Sequence, residues 1–87
     1  MNQLAQIKAF EQRDTALHKT RELYGLLMAD LAARLAQCSE DSEQYSVLIE
    51  QQTQYQTQQR ELYRLNTQQL AQRSQQLAKQ VKARYNA

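Results

Sequence analysis

Ser39-Glu40-Asp41-Ser42 decides the fold of this chain, because it is the one cluster of turn-forming residues among 87 residues that include no proline and a single glycine, Gly25. Amphipathic stretches without breakers lie on both sides of it, and such stretches favour helices. The sequence therefore predicts an all-α, coiled-coil-like antiparallel helical hairpin in a single domain. The predicted elements are a helix over residues 3–38, a turn over residues 39–42 and a helix over residues 43–85.

An apolar stripe follows one face of the first predicted helix, because its members recur at three- and four-residue spacing. These members are Leu4, Ile7, Phe10, Leu17, Tyr24, Met28, Leu31, Leu35 and Cys38. Leu23, Leu26 and Leu27 widen the stripe beyond what one neighbouring helix covers. A two-helix chain of this length also has a small core. We therefore expect a homo- or hetero-oligomer, in which a second contact covers the surplus apolar surface.

Gly25 lies inside the first predicted helix, where glycine costs about 1 kcal/mol relative to alanine. Two interpretations of this glycine remain open. It permits close contact with another helix, or it kinks the first helix and converts the hairpin into a three-helix arrangement.

The second predicted helix has no breaker, and its first residues suit an N-cap at Ser42. Its apolar positions are Tyr45, Leu48, Ile49, Tyr55, Leu62, Leu65, Leu70, Leu77, Val81 and Tyr85. Pairing about the turn places Leu35 opposite Leu48, but it places Phe10 opposite Arg73. We therefore expect a good core near the turn. The distal half is expected to be a binding groove, a frayed region or a contact for a second copy.

The net charge of +2 is too small to favour nucleic acid as a partner. Acidic residues crowd the turn, whereas the only charges after Leu62 are basic: Arg64, Arg73, Lys79, Lys82 and Arg84. This predicts a dipolar molecule with an acidic elbow and a basic tail. The tail is interpreted as a solvated helix end or as a contact for an acidic protein, and a nucleic-acid contact is the least favoured alternative.

Catalytic chemistry has few candidate residues in this sequence. His18 and Cys38 are the only histidine and the only cysteine, and helical rise separates them by about 30 Å. Asp14 and Glu22 flank His18 at helical spacing and are interpreted as ion-pair partners rather than metal ligands. No segment approaches the roughly 20 apolar residues of a membrane span. We expect no enzyme activity, no metal, no cofactor, no membrane partner and a cytoplasmic location.

The stretch Gln59-Arg-Glu-Leu-Tyr-Arg-Leu-Asn-Thr-Gln-Gln-Leu-Ala-Gln-Arg-Ser-Gln-Gln-Leu77, followed by Lys82-Ala-Arg-Tyr85, resembles small helical chaperones of the bacterial flagellar and type III secretion systems. The filament-cap and hook-junction export chaperones have such a long helix with a basic end and a tyrosine. The acidic turn with Gln44-Tyr45 is similar to that of the needle-subunit co-chaperones. The resemblance covers residues 20–85, and it implies a cytoplasmic adaptor that holds an aggregation-prone secretion substrate.

Together these features predict a small protein-binding adaptor or chaperone that holds a helical partner through apolar helix faces. The predicted contact residues are Leu23, Leu26, Leu27, Tyr63, Leu70, Leu77, Val81 and Tyr85. Two alternatives stay open. One is a self-associating coiled-coil structural protein, and the other, less favoured, is a nucleic-acid accessory protein.

Overall fold

The computed structural model of the chain describes residues 3–85 and contains three α-helices. These are α1, Gln3–Leu35; α2, Glu43–Arg60; and α3, Thr67–Tyr85, with a 3-10 turn, Glu61–Arg64, between α2 and α3. No strand occurs in this range, so the all-α prediction is confirmed. The two-helix hairpin is wrong, because the helix predicted over residues 43–85 is divided into two.

The turn between α1 and α2 has the predicted chemistry. Ser42 is the N-cap of α2, and its Oγ accepts a hydrogen bond from the Tyr45 N–H at 3.1 Å and donates one to the Ser39 carbonyl at 2.7 Å. α1 ends at Leu35, before the predicted boundary at Cys38. The Cys38 N–H bonds to the Leu35 carbonyl, and such short-range bonds tighten the end of a helix.

The break between α2 and α3 is built from local hydrogen bonds. Asn66 and Gln69 form a capping box, in which the Gln69 N–H donates to Asn66 Oδ1 at 2.8 Å and the Asn66 N–H donates to Gln69 Oε1 at 3.0 Å. Leu65 is extended, with φ −89° and ψ 145°. From α1, the Arg13 guanidinium donates to the carbonyls of Tyr63 at 2.7 Å and Leu65 at 3.2 Å. Side chains thus satisfy backbone groups that a continuous helix would satisfy itself.

The two reversals give an up-down-up arrangement. The turn after α1 reverses the chain, so α2 runs antiparallel to α1, and the break after α2 reverses it again. Thr20 therefore contacts Leu70 near the start of α3, and Asp30 contacts Arg84 near its end. α1 is the common neighbour, and it packs more extensively against α3 than against α2.

The core lies where the three helices meet. Its central cluster is at most 2% exposed and consists of Tyr24, Leu27, Leu62, Leu70 and Leu77. Burial of each leucine stabilises the fold by roughly 1.5–3 kcal/mol. Thr20 and Ser74 are also buried, and their hydroxyls donate to the carbonyls of Ala16 and Ala71 at 2.6 and 2.9 Å. Small side chains at this contact allow α1 and α3 to approach each other closely.

Three predicted details need correction. α1 runs through Gly25 without interruption, so this glycine is not a kink. A methyl group added there would meet nothing within 4 Å among residues 3–85, so it is not a close helix contact in this range either. Phe10 does not pair with Arg73, which instead bonds to Tyr24. Because α3 runs parallel to α1, the basic tail returns to the end of the molecule that holds the acidic elbow, so the charges are not separated as predicted.

Candidate partner-binding surfaces

The groups considered for chemistry are dispersed. His18 Nε2 lies 3.1 Å from Glu22 Oε1 and both side chains are exposed, as expected for the predicted pair. Within residues 3–85, no three His, Cys, Asp or Glu side chains gather closely enough to hold a metal ion. In the same part of the chain, no helix has the length and apolar character needed to cross a membrane.

Tyr24 joins the three helices through its hydroxyl. This buried group donates a hydrogen bond to Gln58 Oε1 of α2 at 3.1 Å and accepts one from Arg73 Nη1 of α3 at 2.7 Å. Its ring also packs against Tyr55, with 6.0 Å between the centroids. Arg73 of the basic tail therefore has a structural partner inside the fold.

Asp30 fixes the other end of α3. Its Oδ2 accepts hydrogen bonds from Arg34 Nε at 2.9 Å and from Arg84 Nη1 at 3.0 Å. Arg84 also donates to the Tyr55 hydroxyl at 3.4 Å. Two of the cations of the basic tail, Arg73 and Arg84, are thus engaged within the chain, whereas Lys79 and Lys82 are exposed.

The predicted contact residues fall into three groups in the structure. Leu27, Leu70 and Leu77 belong to the core, so a partner that binds the folded chain does not reach them. Half-buried positions that pack against the core are Leu23 and Val81. The exposed positions are Leu26, Tyr63 and Tyr85, and the Tyr85 hydroxyl donates to the Leu26 carbonyl at 2.7 Å. The structure therefore brings Leu26 and Tyr85 together and leaves Tyr63 at the break.

Tyr63 is partly covered by its neighbour. Arg64 Nε donates to the Tyr63 hydroxyl at 3.2 Å, and the Arg64 guanidinium lies 5.6 Å from the ring centroid. The hydrogen bond to Tyr63 raises the pKa of Arg64, with a smaller electrostatic contribution from Glu61. The guanidinium stays charged at physiological pH, so Tyr63 presents a polar, cationic surface.

Part of the predicted hairpin seam is uncovered in the structure. The first part of α1, residues 3–12, extends past the break, and each of its residues is exposed; we call this segment the α1 overhang. Its apolar side chains are Leu4, 69% exposed, Ile7, 52%, and Phe10, 70%. The signal in the sequence was the poor pairing of Phe10 with Arg73, which indicated that the helices did not match there.

A groove of about 500 Å³ lies where the overhang joins the bundle, between α1 and the start of α3; we call it the α1–α3 groove. Small side chains from both helices line it, among them Ala16, Ala71 and Ser74. Charged residues at its edge are Lys8, Glu11 and Lys19. The groove is open to solvent along its length, so an extended or helical segment could enter it from the side.

A second groove, the α2–α3 groove, has a volume of about 520 Å³ and a more polar lining. Val47 and Leu48 contribute apolar side chains, and the other lining residues are Arg34, Gln44, Gln51, Gln80, Ala83 and Arg84. Arg84 is already bonded to Asp30 within the chain. This groove therefore offers fewer free apolar contacts than the α1–α3 groove.

No family model, curated protein or solved structure matches the chain. Its function must therefore be inferred from its own surfaces.

Proposed function

We propose that the protein is a small adaptor or chaperone that binds a helical segment of a partner protein in the α1–α3 groove. The observation that carries this proposal is the lining of the groove, in which Ala16, Ala71 and Ser74 leave space beside the core while Lys8 and Lys19 flank it. In helix-in-groove complexes, large side chains of the bound helix fill the space that small side chains of the groove leave open.

Charge distribution at the groove also suits a protein segment. Lys8, Glu11 and Lys19 give the edge both signs of charge. Edge charges of this kind set the orientation of a partner more than its affinity. We therefore assign affinity to apolar side chains inserted over the alanines and orientation to the three charged residues.

Leu26 and Tyr85 extend this surface along the boundary between α1 and α3. The hydrogen bond from Tyr85 to the Leu26 carbonyl holds the ring against α1, and both side chains remain exposed. Tyrosine in such a half-exposed position is typical of contact surfaces, because its ring is apolar and its hydroxyl polar. Leu23 and Val81 support this surface from their half-buried positions.

The resemblance to flagellar and type III export chaperones gives the proposal its more specific form. In that form the partner is a secretion substrate whose amphipathic helix is kept from aggregating in the cytoplasm until export. An exposed, charged groove edge supports reversible binding, which a chaperone that releases its substrate requires.

A nucleic-acid role receives less support. Arg73 and Arg84 bond to Tyr24 and Asp30 within the chain, so the basic tail has two fewer cations to offer phosphates. Nucleic-acid binding draws most of its affinity from contacts between cationic side chains and phosphates. We therefore favour a protein partner.

Photocrosslinking in the source organism tests this site. A photoreactive residue in place of Gln12, which lines the α1–α3 groove, should capture one partner protein. The same residue in place of Gln56, an exposed position of α2, is the matched control and should not capture it. Capture of the same proteins from both positions would contradict a site in the groove.

Paired arginine substitutions then separate the two grooves. Ala71 and Ala83 are both exposed alanines of α3, but Ala71 lines the α1–α3 groove and Ala83 the α2–α3 groove. Ala71→Arg should weaken binding of the captured partner by about 5- to 150-fold in calorimetry, because one lost apolar contact is worth roughly 1–3 kcal/mol. Ala83→Arg should leave it unchanged, and the reverse result would move the site to the other groove.

A further inference from the structure

We propose that the chain has a second folded form, a dimer in which α2 and α3 of each copy join into one straight helix and the two copies exchange α3. In this dimer, α3 packs on α1 of the other copy as it packs on its own α1 in the monomer. Such a domain swap forms a dimer at low cost, because the exchanged contacts are the same in both forms. The α1–α3 groove is then shared between copies but keeps its lining, so the proposal does not depend on the proposed function.

The break between α2 and α3 needs little change to become helical. It contains neither glycine nor proline, and no non-glycine residue among residues 3–85 has a positive φ. Glu61 lies in the right-handed helical region, with φ −88° and ψ −1°, whereas Leu65 is extended, with ψ 145°. An N-cap residue such as Asn66 is typically extended as well. Rotation of the backbone at Leu65 and Asn66 into the helical region therefore joins α2 to α3.

The apolar face of α2 continues into α3 with the spacing of a single helix. At intervals of seven, seven, eight and seven residues, its members are Leu48, Tyr55, Leu62, Leu70 and Leu77. Two turns of an α-helix take about 7.2 residues, so these side chains share one face of a straight helix. Through this face α2 already meets α1, where the ring of Tyr55 packs against Tyr24.

The register between α1 and α2 shows which part of α1 a straight helix covers. Gln59 Nε2 donates to the Arg21 carbonyl at 3.2 Å, so the end of α2 lies level with Arg21. From there an antiparallel helix advances one residue for each residue back along α1, which places Leu70 beside Phe10 and brings α3 over Ile7. The exposed seam of the α1 overhang is thus covered by α3 of the same chain.

A two-fold axis satisfies both contacts of α3 at once. In the monomer α3 runs parallel to α1, and the Leu70 carbonyl lies 3.4 Å from Thr20 Oγ. In the straight helix Leu70 lies beside Phe10, and α3 runs antiparallel to its own α1. The two copies are therefore antiparallel, with Thr20 of one level with Phe10 of the other, and the axis passes beside Thr15. Such a contact is isologous and closes on itself.

The balance of contacts explains why the straight form requires a second copy. In a single chain it leaves Tyr24 and Leu27 of α1 without the α3 side chains that bury them, whereas in the dimer α3 of the other copy buries them again. Each break loses its capping box and the hydrogen bonds from Arg13. Continuous helix hydrogen bonds and the cover over Phe10 and Ile7 offset this loss.

Refolding at two concentrations tests whether the dimer exists. After dilution from urea, the chain should be monomeric at about 5 µM and should contain a dimer at about 500 µM, because only the exchanged form depends on concentration. Light scattering at the refolding concentration measures both states. A chain that is monomeric at the higher concentration would overturn the proposal.

Paired proline substitutions test whether the dimer needs the straight helix. Thr67 is the first residue of α3, where proline is tolerated in the monomer. In the straight helix the same position is interior, where proline removes a hydrogen bond and clashes with the preceding turn, so Thr67→Pro should lower the dimer yield at least about tenfold.

Glu43→Pro is the matched control, because Glu43 is the first residue of α2 and keeps that position in both forms. It should leave the dimer yield unchanged. Circular dichroism and thermal melting should show both variants folded at low concentration. Equal dimer yields from the two proline variants would overturn the proposal.

Spin labels distinguish an exchanged dimer from one that forms between unaltered monomers. The labels replace the exposed residues Lys8 and Gln75 in a Cys38→Ser chain, which is refolded with an excess of unlabelled chain so that most labelled dimers carry one labelled copy. In the monomer the two positions are about 17 residues apart along α1, on the order of 25 Å of helical rise. In the straight helix they lie within about one turn of each other, so the distance should shorten by about 10 Å in the dimer. An unchanged distance in the dimer would overturn the proposal.

Discussion

Gly25 is a single residue that lowers the stability of its own helix. It is exposed in the middle of α1, and a side chain there would meet no neighbour within 4 Å. Glycine in a helix interior is destabilising because its unfolded backbone has more conformations to lose. Within residues 3–85, no contact at this position offsets the cost.

Gly25→Ala should therefore raise the free energy of unfolding by about 1 kcal/mol, measured by urea denaturation. Ala29→Gly is the matched control, because Ala29 is an exposed residue of the same helix, and it should lower stability by a similar amount. A lower free energy of unfolding for Gly25→Ala would contradict this expectation and would show that another molecule packs closely against the glycine.

The break between α2 and α3 decides the fold at the scale of elements. It turns a long hairpin arm into two helices, and thereby places Leu70 and Leu77 in the core of the same molecule. This break is not predicted from the sequence, because neither glycine nor proline marks it and the residues on both sides favour helix. Two signals were present: the spacing of five between Leu65 and Leu70, and Asn66 three residues before Gln69, which matches a capping box.

Asn66→Ala should cost about 1 kcal/mol of stability, because the Gln69 N–H loses its side-chain acceptor at the start of α3. Asn66→Asp keeps an acceptor in the same place and should retain most of the stability. Both changes in the free energy of unfolding can be measured from the urea midpoints, because the m-value should stay the same. If Asn66→Ala were as stable as the parent chain, α3 would not depend on this cap.

The break between α2 and α3 also determines which of the predicted site residues are exposed in the structure. The exposure of Leu26 was predictable, because this residue widens the apolar stripe beyond what one neighbouring helix covers, and Tyr85 is likewise exposed. Leu27, Leu70 and Leu77 lie in the core, and their burial requires a third helix that the periodicity did not reveal. The α1 overhang was not predicted as a contact surface, because Ile7 and Phe10 lie on the seam, where a second helix was expected to cover them. In the structure α3 begins too far along α1 to do so.

At the scale of the whole molecule, the fold is an elongated bundle with dimensions of 61 × 25 × 15 Å and a Cα radius of gyration of 16.1 Å. A compact chain of this length would have a radius of about 12 Å. The difference arises because α1 is much longer than either of the helices that cover it. The overhang is thus visible in the shape of the molecule as well as in its exposed side chains.

Small-angle scattering tests this shape. At dilute concentration the chain should have a radius of gyration near 16.1 Å. A dilution series is the control, because the radius should reach a constant value once any concentration-dependent association is lost. A radius near 12 Å at the dilute limit would indicate that the overhang folds back onto the bundle.

The parallel course of α1 and α3 has a consequence for encounter kinetics. Because the basic end of α3 lies beside the acidic turn, the fields of the two charge groups largely cancel at a distance, and a net charge of +2 leaves little attraction for a charged partner. A partner would then arrive by unsteered diffusion, with an association rate of about 10⁵–10⁶ M⁻¹s⁻¹. Such a rate should change little between low and physiological salt, so the lifetime of the complex, rather than the speed of capture, would set how firmly the partner is held.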